Sequence, residues 1–412
     1  MPKSISDTDD KMVGVDSDST DKAPNSCRVR YIDIGVLVYG IILHFIDTGF
    51  DIFLAYSYFM TKQYSYFAWT AAFTIVPTAV MSAISIRMYM EDSKGNLINW
   101  KVLLRPGLCV AGLILQLAPV IRYFDSILYA RKCLKAESQG DKKLQEMYYK
   151  KMLKEDSDAA LLRVFECYLE SACQQVLQIT LLLIEYSQGS QIHLTKQCIM
   201  ITLSFISMGW CMATYHRCIR FDRDDKQNIS TFGTLAQFLW HLNFTVSRII
   251  ALAALAILYP FWTCIAVAGH WCAMTIWIAV TAKTNFCGKS LILEVLFAST
   301  VGLVYIFNFI SLKDGPTRKS YFVFFSICGL ENLIASVLWG LKSQSIIKNW
   351  TYYAFLVLPI STYILSIVFS MIYYYLFHPT KSNFRVTNRK KIFYGSHQPN
   401  VQYEQECKLE DQ

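Results

Sequence analysis

Ten stretches of this chain, at about 31–60, 66–90, 102–130, 159–186, 196–216, 235–258, 261–282, 290–312, 320–341 and 351–378, are long and apolar enough to cross a bilayer. Roughly 20 apolar residues, wound as a helix, span the ~30 Å of hydrocarbon. One soluble domain has no core large enough for ten such segments, and with 54% hydrophobic residues against 17% charged the balance is too apolar for water. The bilayer is the solvent, and the expected fold is all-α and polytopic.

The start of the chain, Met1 to Asn25, is rich in Asp, Ser and Thr and has no apolar core. It does not read as a cleavable signal peptide, so the first hydrophobic segment is expected to act as the targeting signal, with the N-terminus in the cytosol. Cysteines such as Cys109, Cys167, Cys173, Cys211, Cys264 and Cys272 lie inside apolar segments. Their spacing fits neither a zinc site nor a secreted disulfide framework, and they read as small buried hydrophobes.

Basic residues are retained on the cytoplasmic side. Arg28 and Arg30 place the first end inside, but ten successive crossings would put 131–158, with Arg131, Lys132, Lys135, Lys142, Lys143, Lys150, Lys151 and Lys154, on the outside. The conflict disappears if 102–130 dips in and returns, and its Pro106, Gly107, Gly112 and Pro119 suit broken helices shielded by neighbours. The same reasoning makes 290–312 re-entrant, since Lys283, Lys289, Lys313, Arg318 and Lys319 flank it. The outer loops then keep only Lys62, Lys342 and Lys348.

Eight transmembrane helices plus two re-entrant membrane-dipping helices result, in two parallel pseudo-repeats of the order span, span, dip, span, span. A short echo, Cys167-Tyr168-Leu169-Glu170 against Cys328-Gly329-Leu330-Glu331, makes Glu331 the second-repeat counterpart. The expected organisation is a disordered acidic cytosolic tail (1–30), a first repeat (31–216), a cytosolic linker (217–234) with Arg217, Arg220, Asp222, Arg223, Asp224, Asp225 and Lys226, a second repeat (235–378) and a cytosolic tail with a basic start (379–412).

The residues that resist a membrane are the informative ones. In the first span Asp33, His44, Asp47 and Asp51 fall within an arc of roughly 60° at 100° per residue. A second stripe, Arg163, Glu166, Glu170, Gln174 and Gln178, recurs at three- and four-residue steps. Each ionisable group near the bilayer centre costs about 2.5–3.5 kcal/mol on insertion scales, so these groups are expected to face protein or water. Arg122, in the first dipping segment, is the cation expected to lie among them. Pairing that merely glues helices is the bland alternative. A hydrophilic track, along which a headgroup slides while its tails stay in lipid, is the functional one.

No Walker loop, nucleotide-binding glycine fingerprint, Ser/His/Asp triad or paired-His motif is apparent, so no covalent chemistry, cofactor, metal or nucleic acid is expected. His241 beside Trp240 and His270 beside Trp271 read as packing or interfacial residues.

Phe165-Glu166, Leu169-Glu170-Ser171-Ala172 and Gln175-Val176-Leu177-Gln178 resemble the signature of the XK-related proteins. Leu239-Trp240-His241-Leu242 with Ser247-Arg248, His270-Trp271 with Met274-Thr275, Glu331-Asn332-Leu333 and Phe377-His378-Pro379 agree in order, so the resemblance runs from about Tyr31 to Pro379. It implies a phospholipid scramblase of the plasma membrane, some relatives of which are switched on by caspases and expose phosphatidylserine on dying cells. It also implies eight spans, two dipping helices, and a lipid path that maps onto Asp33, Asp47, Asp51, Arg122, Glu166 and Glu170. Relatives also pair with single-span glycoproteins, or with a protease through a disulfide; the expected outer loops here hold no cysteine, which argues against the disulfide.

Executioner caspases favour Asp-x-x-Asp. The N-terminal tail offers Asp7-Thr8-Asp9-Asp10, Asp18-Ser19-Thr20-Asp21 and the looser Val15-Asp16-Ser17-Asp18, with cuts after Asp10, Asp21 and Asp18; a merely solvated acidic tail is the alternative reading. The C-terminal tail has one aspartate, Asp411, so control from that end is not expected. Lys381, Arg385, Arg389, Lys390 and Lys391 suit the anionic inner leaflet or plain positive-inside topology. An ion or small-solute transporter or channel, and a non-transporting scaffold for a partner membrane protein, stay open as alternatives.

Overall fold

The computed structural model describes residues 27–92, 117–187, 194–222, 229–281, 290–311, 317–343 and 350–378. Within them the protein is helical and no strand occurs. The elements are α1 (Tyr31–Met60), α2 (Tyr64–Asp92), α3 (Ala118–Gln139), α4 (Lys142–Phe165), a π-helical turn (Glu166–Ser171), α5 (Ala172–Ser187), α6 (Leu194–Phe221), α7 (Thr231–Leu258), α8 (Pro260–Thr281), α9 (Leu291–Val304), α10 (Arg318–Lys342) and α11 (Trp350–Ile372), the last extended by a π-helical turn (Tyr373–Phe377). Among the described residues eight helices are long and apolar enough to cross a membrane; α4, the π turn and most of α5 run through as one of them. The protein is a multi-pass membrane protein.

The stretch 131–158, read from sequence as a loop, is instead the distal part of a helical hairpin made by α3 and α4. Pro119 sits in the first turn of α3, where its missing N–H costs nothing. Gly140, at φ 74°, ends α3 in the left-handed conformation, which glycine adopts without strain. Asp141 then caps α4 by accepting from Lys143 N and Leu144 N, both at 3.1 Å. Gln145, Tyr149, Met152, Glu155 and Ala159 form the buried stripe of α4. Chain entering from the tail docks on this hairpin: Val29 packs with Ala130, Cys133, Tyr149 and Met152, and Gln145 Nε2 donates to Cys27 O at 3.2 Å. Burial pushes the Cys133 thiol up to about 11.

One apolar core joins residues of α2, α4, α5, α6, α7, α8, α9 and α10. In α7, 61% of the most apolar stretch is buried, against 12% in α1, so α7 is central and α1 peripheral. Gly209 lets α6 approach α7 at Leu242, a use of small residues common between membrane helices.

Helix α9 has 14 residues, a length of about 21 Å, short of the hydrocarbon thickness. The non-helical segment after it, through Ile310, lies buried in the core. Buried backbone groups must find partners, and side chains supply them. His270 Nε2 donates to Tyr305 O at 3.2 Å, Arg248 Nε to Ile306 O at 3.0 Å and Tyr305 OH to Ile310 O at 2.5 Å. Asn308 Oδ1 accepts from Phe309 N at 2.9 Å. The first proposed dip is described only from Leu117 onward; Pro106, Gly107 and Gly112 lie outside the described residues, as do Lys283, Lys289, Lys313, Lys348 and the linker from Arg223 to Lys226.

Candidate functional site

The two polar stripes face each other. His44 Nδ1 lies 3.0 Å from Glu166 Oε1, with both side chains buried. One turn along α1, Asp47 stands in the electrostatic field of Glu166, Arg163 and His44; the next turn brings Asp51 into hydrogen-bond contact with Glu170 and Gln174. Tyr58 OH then donates to Gln178 Oε1 at 3.1 Å, and Gln174 Nε2 donates across to Thr74 Oγ1 of α2 at 3.1 Å. Arg163 Nη1 is 3.8 Å from Glu166 Oε2.

What joins α1 to this wall is unusual. Its backbone packs closely on α2 and α3, yet none of its residues belongs to the main apolar core. Its fastenings to the π turn and α5 are the polar side chains just named. Glu166 and Glu170 form a buried floor, Asp51 is half-buried and Asp47 is exposed, so the cluster grades from sealed to accessible across the face of one helix. Both glutamates sit on the π turn, a helix irregularity found frequently at functional sites.

Two predicted members stand apart. Asp33 occupies the first turn of α1, accepts from Arg30 N at 2.8 Å and pairs with Arg30 at 3.7 Å, so it caps the helix. Arg122 is fully buried but meets neither Glu166 nor Glu170 in the contacts described. Its Nη1 donates to Glu155 Oε2 at 2.7 Å and Asp158 Oδ2 at 3.0 Å, while its guanidinium lies 3.7 Å from the Tyr89 ring centroid. Tyr89 OH in turn donates to Asp125 Oδ2 at 2.8 Å. Arg122 therefore clamps α3, α4 and α2 together, and its partners were missed because they fell in a supposed loop.

Glu331 of α10 organises a second centre. Arg248 Nη2 binds its Oε2 at 2.8 Å and His270 Nδ1 lies 2.8 Å from its Oε1. Arg248 also donates to Asn332 Oδ1 at 2.8 Å, and Asn332 Nδ2 to Ser247 Oγ at 2.8 Å. His270, Cys328 and Glu331 hold donor atoms within 4.8 Å of one another, but the guanidinium already supplies positive charge there. Between the two centres Asn308 Nδ2 donates to Tyr168 OH at 2.8 Å and to Thr245 Oγ1 at 3.2 Å, with His241 Nδ1 3.1 Å from its Oδ1. The only sequence signal for Arg248 and His270 as a pair was their presence in blocks of the resemblance. Asp10, Asp18 and Asp21 lie outside the described residues.

A family model described as XK-related protein matches residues 35–379. Cell death abnormality protein 8 of Caenorhabditis briggsae is 25% identical over 397 residues, covering 90% of this chain and 84% of the relative. The protein of the same description from Caenorhabditis elegans is 24% identical over 406 residues, covering 93% and 87%.

Proposed function

The chain belongs to the XK-related family, and from that premise we propose that it is an ATP-independent phospholipid scramblase of the plasma membrane. It moves phosphatidylserine and other phospholipids between leaflets, with both termini in the cytosol. Caspase cleavage after Asp10, Asp18 or Asp21 activates it, in keeping with relatives whose description concerns cell death. Residues 102–130 and 290–312 enter and leave on the cytosolic side, and the halves form parallel pseudo-repeats; the short α9 and its satisfied irregular backbone support the second dip.

One observation carries the reading. The carboxylates of α1 and the π turn form a polar seam that is sealed at Glu166 and Glu170 and open at Asp47. A headgroup enters such a seam from the side and exchanges its water for these groups, while its acyl chains stay against the exposed apolar face of α1. Helix glue alone explains neither the excess of carboxylates over cations nor the accessible Asp47.

The test is reconstitution of the full chain in liposomes carrying a fluorescent phospholipid, with a membrane-impermeant quencher outside. Inner-leaflet fluorophores become quenchable without nucleotide or ion gradient, and the paired change Asp51→Asn with Glu170→Gln slows this at least ten-fold. Ion flux without lipid exchange would overturn the reading in favour of a channel. Caspase treatment is expected to shorten the chain by ten to twenty-one residues at its N-terminus and to raise the rate; an uncut protein that scrambles at the same rate removes the caspase arm.

A further inference from the structure

The seam grades in charge as well as in exposure. His44 Nδ1 and Arg163 Nη1 both stand at Glu166, 3.0 Å from its Oε1 and 3.8 Å from its Oε2. One turn further on, the strongest electrostatic neighbours of Asp51 and Glu170 are themselves acids: each other, Asp47 and Glu166. Glu170 is only 4% exposed and its Oε1 has no hydrogen-bond partner, although its carboxyl is in contact with that of Asp51. Two carboxylates at hydrogen-bond range do not both stay ionised unless a proton or another positive group lies between them. A buried oxygen without a donor, set beside a second acid, is a place for a positive donor.

The position of the opening says where that donor comes from. Asp47, the accessible member of the cluster, sits near the middle of α1, with roughly 20 Å of helix on either side at 1.5 Å per residue. Phe45, Ile46 and Phe50 around it are each about half exposed, so the opening gives onto acyl chains. A metal ion from solution reaches that depth only at the cost of its water. The ammonium of a phospholipid headgroup arrives tethered to tails that cover the neighbouring apolar surface.

We propose that the seam selects phospholipids whose headgroup carries an ammonium, as ethanolamine, serine and choline do, over those whose headgroup ends in hydroxyls or bare phosphate. The inference rests on the scramblase reading above and adds the chemistry of its cargo. Asp47 meets the ammonium at the opening, and Asp51 with Glu170 accepts it in place of the positive group that the two carboxyls share. Arg163, whose Nη1 makes no hydrogen bond, is the cation left for the phosphate or the serine carboxylate. A site built around such donors rejects an analogue that lacks them, because its own buried acceptors are then left unpaired.

The full chain is reconstituted in phosphatidylcholine liposomes with a trace of phosphatidylethanolamine, phosphatidylserine or phosphatidylglycerol, each fluorescent on an acyl chain, and the rate at which each becomes accessible to an outside quencher is recorded. Serine and glycerol lipids carry the same net charge, so that pair separates recognition of the ammonium from simple repulsion of anions. Wild type is expected to move the ethanolamine and serine lipids at least five-fold faster than the glycerol lipid. Asp51→Asn with Glu170→Gln, which keeps the shape of the pair, brings both ratios below two-fold; Asp47→Asn narrows them, and Asp47→Glu retains them. A serine lipid as slow as the glycerol lipid in wild type overturns the proposal, and this comparison stands even where the double variant does not fold. So does a double variant that slows all three lipids by one factor, since the pair would then only hold helices together. No movement of any lipid defeats the scramblase reading and the selection with it, whereas one rate for all three defeats the selection alone.

Discussion

Replacing Arg122 by methionine separates a structural clamp from a lipid-path residue. Its two ion pairs, at 2.7 and 3.0 Å, each represent a gross attraction of about 6 kcal/mol at an effective dielectric near 20. The stacked Tyr89 ring at 3.7 Å adds about 2 kcal/mol for a desolvated cation. Most of this offsets the loss of water around three charges. What Arg122→Met exposes is the cost of taking this cation from Glu155 and Asp158, about 3–5 kcal/mol for a buried pair. At roughly 2–4 °C per kcal/mol for domains of 150–250 residues, and less for larger ones, the melting temperature in detergent should fall by on the order of 5–10 °C. The triple change Arg122→Met, Glu155→Gln, Asp158→Asn removes the stranded charges and should recover most of that loss together with the lipid-exchange rate. A single variant as stable as wild type refutes the clamp. So does a triple variant that melts like wild type yet exchanges no lipid, since Arg122 would then serve the path directly.

Gly209→Ala places a methyl 2.9 Å from Leu242 Cβ and 3.1 Å from its Cα, forcing α6 from α7 at about 1–3 kcal/mol; Gly49→Ala, with open space around it, should not lower the melting temperature, since alanine is the better helix former. Asn308→Leu takes the partner from His241 Nδ1 and Phe309 N, while Tyr168 OH and Thr245 Oγ1 keep each other at 3.2 Å; at about 1–3 kcal/mol for each group left unsatisfied, the result is read as thermal destabilisation. The Cys133 thiol, held up at about 11 by burial, forms thiolate only as pH rises toward that value. Maleimide labelling of the native protein at pH 7.5 should therefore miss Cys133 and reach it after unfolding in detergent.

The spans were legible because a run of twenty apolar residues has few other meanings: α1 starts and ends where the sequence placed it, and α8, α10 and α11 together with its π turn within two residues. The hairpin was not, because its buried stripe includes Gln145 and Glu155. A hydropathy reading sees polarity there, while the four-, three-, three- and four-residue steps from Gln145 to Ala159 betray a helix. Both stripes of the seam were visible as periodicity, and their meeting at His44 and Glu166 was not, since periodicity gives a face and not its neighbour. Arg122 was placed among the carboxylates of the two stripes, whereas its partners lie 33 and 36 residues downstream. Glu331 came from a four-residue echo, and nothing local tied it to Arg248 of α7 or His270 of α8.

The way α1 is attached sets how cheaply it can be moved. A helix buried by apolar packing detaches only by opening a void, and every void in a close-packed interior carries a penalty. On the side facing the π turn and α5, α1 is fastened instead by His44, Asp51 and Tyr58, and those fasteners are replaceable: water or a charged headgroup offers each of them an equivalent partner as it arrives. The seam under the proposed function therefore widens by substitution rather than by rupture, and the cargo is its own lubricant.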